Sequence, residues 1–326
     1  MASKQIDVML YGLGAIGSFY AFVLSRSPNV RLTVVARSNY EAVKANGISI
    51  DSENHGKHIV KPYQVVQTPA DANSKFDYIV CAHKAINQAT VPSQLSPSVD
   101  PARTTIVIIQ NGVGNEEPFR AAFPSATILS CVTWVGARQS APGIIAHTTS
   151  EDMQIGLFPN ETVDPAVEKS RLDEFAGLLT TGKTVFQVVD NVQVQRWEKV
   201  VWNVAWNALT TLTGLDTHAW LSSTEGATPM TERLMGEAVD VARALGVPLN
   251  KDELVGRLMR KILGMPTIYS SMYEDAKHGR PMEVEVILGY PARKAKELGM
   301  STPTLDAIYC VVAAVDLRIR NEAAKR

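Results

Sequence analysis

The chain has 326 residues, 45% hydrophobic and 20% charged. That is more than one compact core usually holds, so two domains are expected. The net charge of −1, with no basic stripe interleaved with aromatics, argues against binding nucleic acid or an anionic membrane.

The first strand is expected at Ile6–Tyr11. Because it begins so early, no signal or transit peptide is expected, and no apolar run is long enough to span a bilayer. Cys81, Cys131 and Cys310 lie far apart in apolar runs without a CxxC pair, which reads as reduced core thiols. A soluble cytoplasmic protein is expected, and a homodimer is one assembly open to it.

The strand runs into Gly12-Leu13-Gly14-Ala15-Ile16-Gly17, a G-x-G-x-x-G run followed by helical periodicity from Ala15 to about Arg26. Between a strand and a helix, Gly12 allows the tight turn. Gly14 lets backbone approach a pyrophosphate, and Gly17 lets the helix pack close to the strand. The helix N-terminus offers free N–H groups to the phosphates. A dinucleotide is expected on Gly12 to Gly17.

The next strand, Arg31–Ala36, ends at Arg37-Ser38-Asn39. An NAD site usually carries Asp or Glu about twenty residues past the glycines. Arg37 stands there instead, and a guanidinium binds a 2′-phosphate that a carboxylate would repel. The position favours NADP; a solvated loop residue is the other reading of Arg37.

Further strands are expected at Tyr78–Cys81, Thr105–Ile109 and Thr127–Val132, with a hairpin from Gly47–Asp51 and His58–Val66. Shorter strands of a sheet extension follow at Gly143–Thr149, Asp152–Leu157 and Thr184–Val189, with a helix over Pro165–Leu179. The alternation implies a mostly parallel sheet covered on both faces. His55 and His58 lie in a turn-like segment without nearby carboxylates or cysteines, so they read as exposed polar residues and no metal site is expected. His218 and His278 read as structural.

From about Val192 only helical periodicity remains: Val192–Leu212, Pro229–Leu245, Lys251–Gly264, Pro281–Leu298 and Thr304–Arg320. The expected architecture is an α/β Rossmann-type domain over residues 1–190 and an all-helical domain over 191–326. In open α/β sheets ligands gather at the carboxyl ends of the strands, so the crevice beside the second domain is where one is expected.

In the first of these helices Lys199, Asn203 and Asn207 recur every four residues among Val, Trp, Ala and Leu, forming one polar stripe on a largely apolar helix. Buried polar groups need partners or a ligand. A hydrogen-bond network that only fixes helix packing is the alternative. Pro281-Met282-Glu283-Val284-Glu285 is expected to open another helix, with the proline in its first turn. Glu283 and Glu285 then point to different faces, so one can be buried while the other is solvated.

With these residues in hand, the chain resembles the ketopantoate reductases (2-dehydropantoate 2-reductases) over nearly its whole length. The shared features are the glycine run, Arg37, Lys84 after the strand Tyr78–Cys81, and Ile109-Gln110-Asn111-Gly112-Val113-Gly114. Lys199-x-x-x-Asn203-x-x-x-Asn207 follows, then Ser270-Ser271-Met272-Tyr273-Glu274-Asp275, Arg280-Pro281-Met282-Glu283 and Gly289. The resemblance implies that Lys199 donates a proton to a ketone oxygen and that Glu283 orients it. It implies that Asn203, Asn207 and Ser271 contact a 2-oxo acid substrate, and that Lys84 and Asn111 lie along the nicotinamide end of NADPH. Thr217 and Leu288 depart from the pattern, each standing where an asparagine is common, which puts the acyl group in doubt. Another 2-oxo acid, a bulkier ketone, or a non-catalytic NADP-binding regulator are the other functions the same scaffold allows.

Overall fold

The computed structural model describes residues 4–325. The chain separates into two compact units, residues 1–110 with 115–192, and residues 111–114 with 193–326.

The first unit is α/β. Its strands are β1 (Ile6–Tyr11), β2 (Val30–Val35), β3 (Ile48–Ser52), β4 (Gly56–Val60), β5 (Gln64–Val66), β6 (Tyr78–Cys81), β7 (Thr105–Ile109), β8 (Thr127–Thr133), β9 (Ala137–Ala141), β10 (Ile144–His147), β11 (Met153–Phe158) and β12 (Gln187–Val188). Its helices are α1 (Ala15–Ser25), α2 (Tyr40–Asn46), α3 (Val91–Leu95), α4 (Glu117–Ala122) and α5 (Pro165–Thr181). Eight strands form one sheet in the order β12-β11-β8-β7-β6-β1-β2-β5, parallel except where β11 meets β8. Strand alternation sorts the core onto both faces. Val8 and Leu10 of β1 pack with Phe19 and Leu24 of α1 and Phe175 of α5. Met9 and Tyr11 pack with Leu95 of α3 and Phe119 of α4 on the other face.

The expected hairpin is divided between two sheets. β3 and β4 pair antiparallel, but they belong to a second sheet of order β4-β3-β10-β9. β5 instead extends β2 in parallel. Pro62 separates them and cannot continue a ladder, so His58–Val66 is not one strand. The expected strand at Gly143–Thr149 is β10, and it too lies in the second sheet rather than in an extension of the first. Thr184–Val189 shrinks to the two residues of β12.

The second unit is helical: α6 (Val192–Thr213), α7 (Thr217–Leu221), α8 (Ala227–Ala244), α9 (Lys251–Leu263), α10 (Ser271–Lys277), α11 (Tyr290–Glu297) and α12 (Pro303–Ala324). Residues 281–298 are not one helix. Pro281–Glu283 precede it, and Glu285–Gly289 make a π turn that leads into α11. Two short helices, α7 and α10, carry too few turns for periodicity to reveal them; the caps Asp216 and Ser270 are their sequence signals.

Cys81 and Cys131 are buried, but Cys310 is exposed on the outer side of α12, against the expectation of three core thiols. His55 also differs: its Nε2 lies 2.8 Å from Glu151 Oε2, a carboxylate 96 residues away that spacing could not reveal. Among the described residues no cluster fit to hold a metal ion is found. No helix of the described residues is long and apolar enough to cross a membrane.

Candidate active site

The glycine run forms the turn between β1 and α1. Gly12 has φ +101°, and a side chain there would also collide with the backbone of His83 after β6, so position 12 requires glycine twice over. A Cβ at Gly17 would strike the Gly12 carbonyl, which is the close helix approach that the motif permits. At Gly14, the N-cap of α1, a Cβ would meet nothing within 4 Å. The space beyond it is open, and no acidic side chain stands in the first helical turn. The N–H groups of a helix's first turn have no partner in the helix itself. Free donors, open space and no carboxylate fit an anionic group such as a pyrophosphate.

Arg37 lies exposed just past β2. Its charge acts on Tyr11, whose hydroxyl burial pushes up and Arg37 pulls down. Asn39, which carried no role in the sequence reading, is buried and donates from Nδ2 to the Leu13 carbonyl at 2.7 Å. It ties the glycine turn to the segment bearing Arg37. Lys84 is exposed after β6, beside His83. Burial lowers His83 to about 4, so its ring is neutral at working pH.

In the second unit, α6 carries Lys199, Asn203 and Asn207 on one face. Asn203 and Asn207 are buried, and the Asn203 Nδ2 has no hydrogen-bond partner among the described residues. A buried amide left unpaired is costly, which marks it as a donor awaiting a ligand or water. Lys199 keeps part of its surface open, yet its amine is lowered to about 7. Burial is the main cause; Arg196 pushes the same way, Glu283 opposes, and Lys261 adds to the lowering.

Glu283 is buried just before the π turn and accepts from Asn111 Nδ2 at 3.1 Å. Glu285 is exposed, receiving Arg293 Nη1 at 2.7 Å and the Tyr309 hydroxyl at 2.9 Å. The two carboxylates face differently although Glu283 lies outside the helix expected to separate them. The loop 111–114 packs in this unit: Val113 N–H donates to Val286 O at 2.9 Å, and a side chain at Gly112, with φ +88°, would strike Val286.

Ser271 is exposed in the first turn of α10, whereas its neighbour Ser270 is buried and caps that helix, accepting from Tyr273 N–H at 3.0 Å. Thr217 is buried, with Oγ1 accepting from Ile268 N–H at 3.3 Å, and Leu288 is fully buried. Arg196, absent from the sequence reading, is 2% exposed and donates from Nη1 to Gly112 O at 2.8 Å. An arginine within so apolar a helix was the signal available for it.

Residues 8–160 match the family model for ketopantoate reductase PanE/ApbA, and residues 191–316 match that for the ketopantoate reductase PanE/ApbA C terminal. The crystal structure of 2-dehydropantoate 2-reductase from Methylococcus capsulatus is 34% identical, with a TM-score of 0.85 over 96% of this chain and 98% of that one. An uncharacterized protein of Saccharomyces cerevisiae is 27% identical over 96% of this chain and 94% of its own length. D-mandelate dehydrogenase, solved with NADH and anilino(oxo)acetate, shares the fold at a TM-score of 0.84 over 97% of this chain and all of that one, with 20% identity. With the glycine turn, the lysine–asparagine helix and both family models in register, the chain belongs to the ketopantoate reductase family and is an oxidoreductase.

Proposed function

We propose that the chain reduces 2-dehydropantoate (ketopantoate) to pantoate with NADPH, Lys199 donating the proton to the 2-keto oxygen. In this reading residues 1–190 bind the cofactor and residues 191–326 bind the substrate and supply the acid. The observation that carries it is Lys199. Its amine, brought to about 7, shares a helix face with an unpaired buried amide at Asn203 and feels the Glu283 carboxylate.

Gly12 to Gly17 would hold the pyrophosphate by backbone N–H groups, and Arg37 would take the 2′-phosphate. Lys84 and Asn111 are assigned to the nicotinamide-ribose end. When bound, the cofactor supplies the hydride to the keto carbon. Lys199, as the ammonium, stabilises the negative charge that develops on the ketone oxygen and passes its proton to it. The resulting amine regains a proton from solvent. Glu283, steadied by Asn111, holds the ammonium and the substrate hydroxyl in place. Asn203 and Asn207 orient the substrate's polar groups, lowering the entropy cost of the reactive pose. Ser271 is assigned the substrate's outer end.

A second reading is reduction of a different 2-oxo acid. It is favoured by Leu288, which offers no polar atom, and by Thr217, whose hydroxyl is already engaged by Ile268. The test follows oxidation of NADPH, and of NADH, across a panel of 2-oxo acids. Fastest turnover of ketopantoate with NADPH supports the first reading. A faster acid supports the second, and no turnover of any leaves a cofactor-binding regulator.

A further inference from the structure

Arg196 lies in the interior of the helical unit, where a guanidinium is costly to bury unless it is hydrogen-bonded or paired. Its Nη1 bond to the Gly112 carbonyl reaches from α6 to the loop 111–114. That loop is also pinned by Val113 to Val286 and delivers Asn111 to Glu283. Arg196 therefore joins α6 to a loop that itself reaches Glu283 and Val286. Arg196 also stands three residues before Lys199, a spacing that puts both on neighbouring positions of one helix face.

We propose that Arg196 is a positioning residue: it fixes the loop that holds Asn111 against Glu283 and keeps a permanent positive charge one helical turn from Lys199. The proposal rests on Lys199 being the proton donor. The charged groups acting on Lys199 are Arg196 on its own helix, Lys261 on α9 and Glu283 before α11; the adjacent Glu198 is engaged by Arg257 Nη2 at 2.7 Å. Of the two cations, Arg196 acts more strongly. Without it, Glu283 would hold the proton on Lys199 to higher pH, and the loop would lose its anchor.

The test uses the whole chain, with Arg196→Gln, Arg196→Lys and Lys199→Ala. Acetic anhydride labels amines only when deprotonated, so the pH dependence of Lys199 labelling, read by mass spectrometry, gives its midpoint without any turnover. Arg196→Gln is expected to raise that midpoint by about one pH unit. Its turnover number should fall on the order of tenfold to a hundredfold, and KM for NADPH should rise as the loop carrying Asn111 loses its anchor. Arg196→Lys keeps the charge and should leave the midpoint at the parent's value. An unmoved midpoint in Arg196→Gln overturns the proposal. If that variant does not fold, Arg196→Met is read in the same way, and a shifted midpoint in Arg196→Lys overturns the proposal in either case. A shifted midpoint in Arg196→Gln together with near-parent turnover by Lys199→Ala would instead sink the reading of Lys199 as proton donor.

Discussion

The glycine turn of the first unit and the polar face of α6 in the second illustrate two ways of building a site. At the turn the work is done by backbone. Side chains are absent where they would obstruct, as Gly12 against His83 and Gly17 against the Gly12 carbonyl show. On α6 the work falls to side chains whose surroundings alter their chemistry, as burial does to the Lys199 amine. Backbone sites tolerate sequence change except where a Cβ intrudes; side-chain sites fail when one functional group is lost. The substitutions below test that contrast.

Lys199→Ala carries the largest expected effect. Turnover should fall by about a hundred- to ten-thousand-fold, the range for a proton-transfer group, while NADPH binding measured by fluorescence stays near the parent's. A variant keeping most of its turnover would reduce Lys199 to a packing residue.

Gly14→Val should show the opposite separation. Its Cβ meets no protein atom, so the fold should stand, as its melting temperature would report. The branched side chain would fill the space assigned to the pyrophosphate, and NADPH affinity should drop by about a hundredfold or more. Normal binding by the folded variant would remove the glycine turn from the account.

Glu283→Gln comes next. It keeps the shape and loses the charge beside Lys199, so turnover should drop roughly tenfold or more and the pH profile should move. Glu285→Gln, at an exposed carboxylate paired with Arg293, should be mild, as surface pairs contribute little. Reversed behaviour would make Glu285 rather than Glu283 the carboxylate that acts on Lys199. Arg37→Ala is expected to act on cofactor choice alone: KM for NADPH should rise about tenfold, the scale of one charge-assisted contact, and KM for NADH should hardly change. Equal losses with both cofactors would show that Arg37 does not read the 2′-phosphate.

The parts legible in the sequence were those set by short-range pattern. The glycine run, the alternation of strands and helices, and the stripe Lys199-Asn203-Asn207 each fit within one or two elements, where period 2 or 3.6 decides the geometry. What stayed hidden depends on pairing between distant segments. His58–Val66 divides between two sheets because Pro62 breaks the ladder, β4 pairs with β3 and β5 pairs with β2. Glu283 is buried not by helical rotation but by a loop 172 residues earlier that brings Asn111 to it. Ser270, not the neighbouring Ser271, is the buried serine, because capping α10 draws its hydroxyl inward. Arg196 went unnoticed because its partner is a backbone carbonyl, which leaves no trace in residue type.

The account turns on the protonation of Lys199. A desolvated amine at about 7 donates while charged, so kcat/KM for ketone reduction should be level in acid and fall as pH rises through about 7. The direct measurement is the pH dependence of kcat/KM, which reports the free enzyme's groups, for the parent and for Lys199→Ala. The account predicts an alkaline limb with its midpoint near 7 in the parent and no such limb in the weak residual activity of the variant. A parent profile that stays level to pH 9, or the same limb in Lys199→Ala, would contradict it.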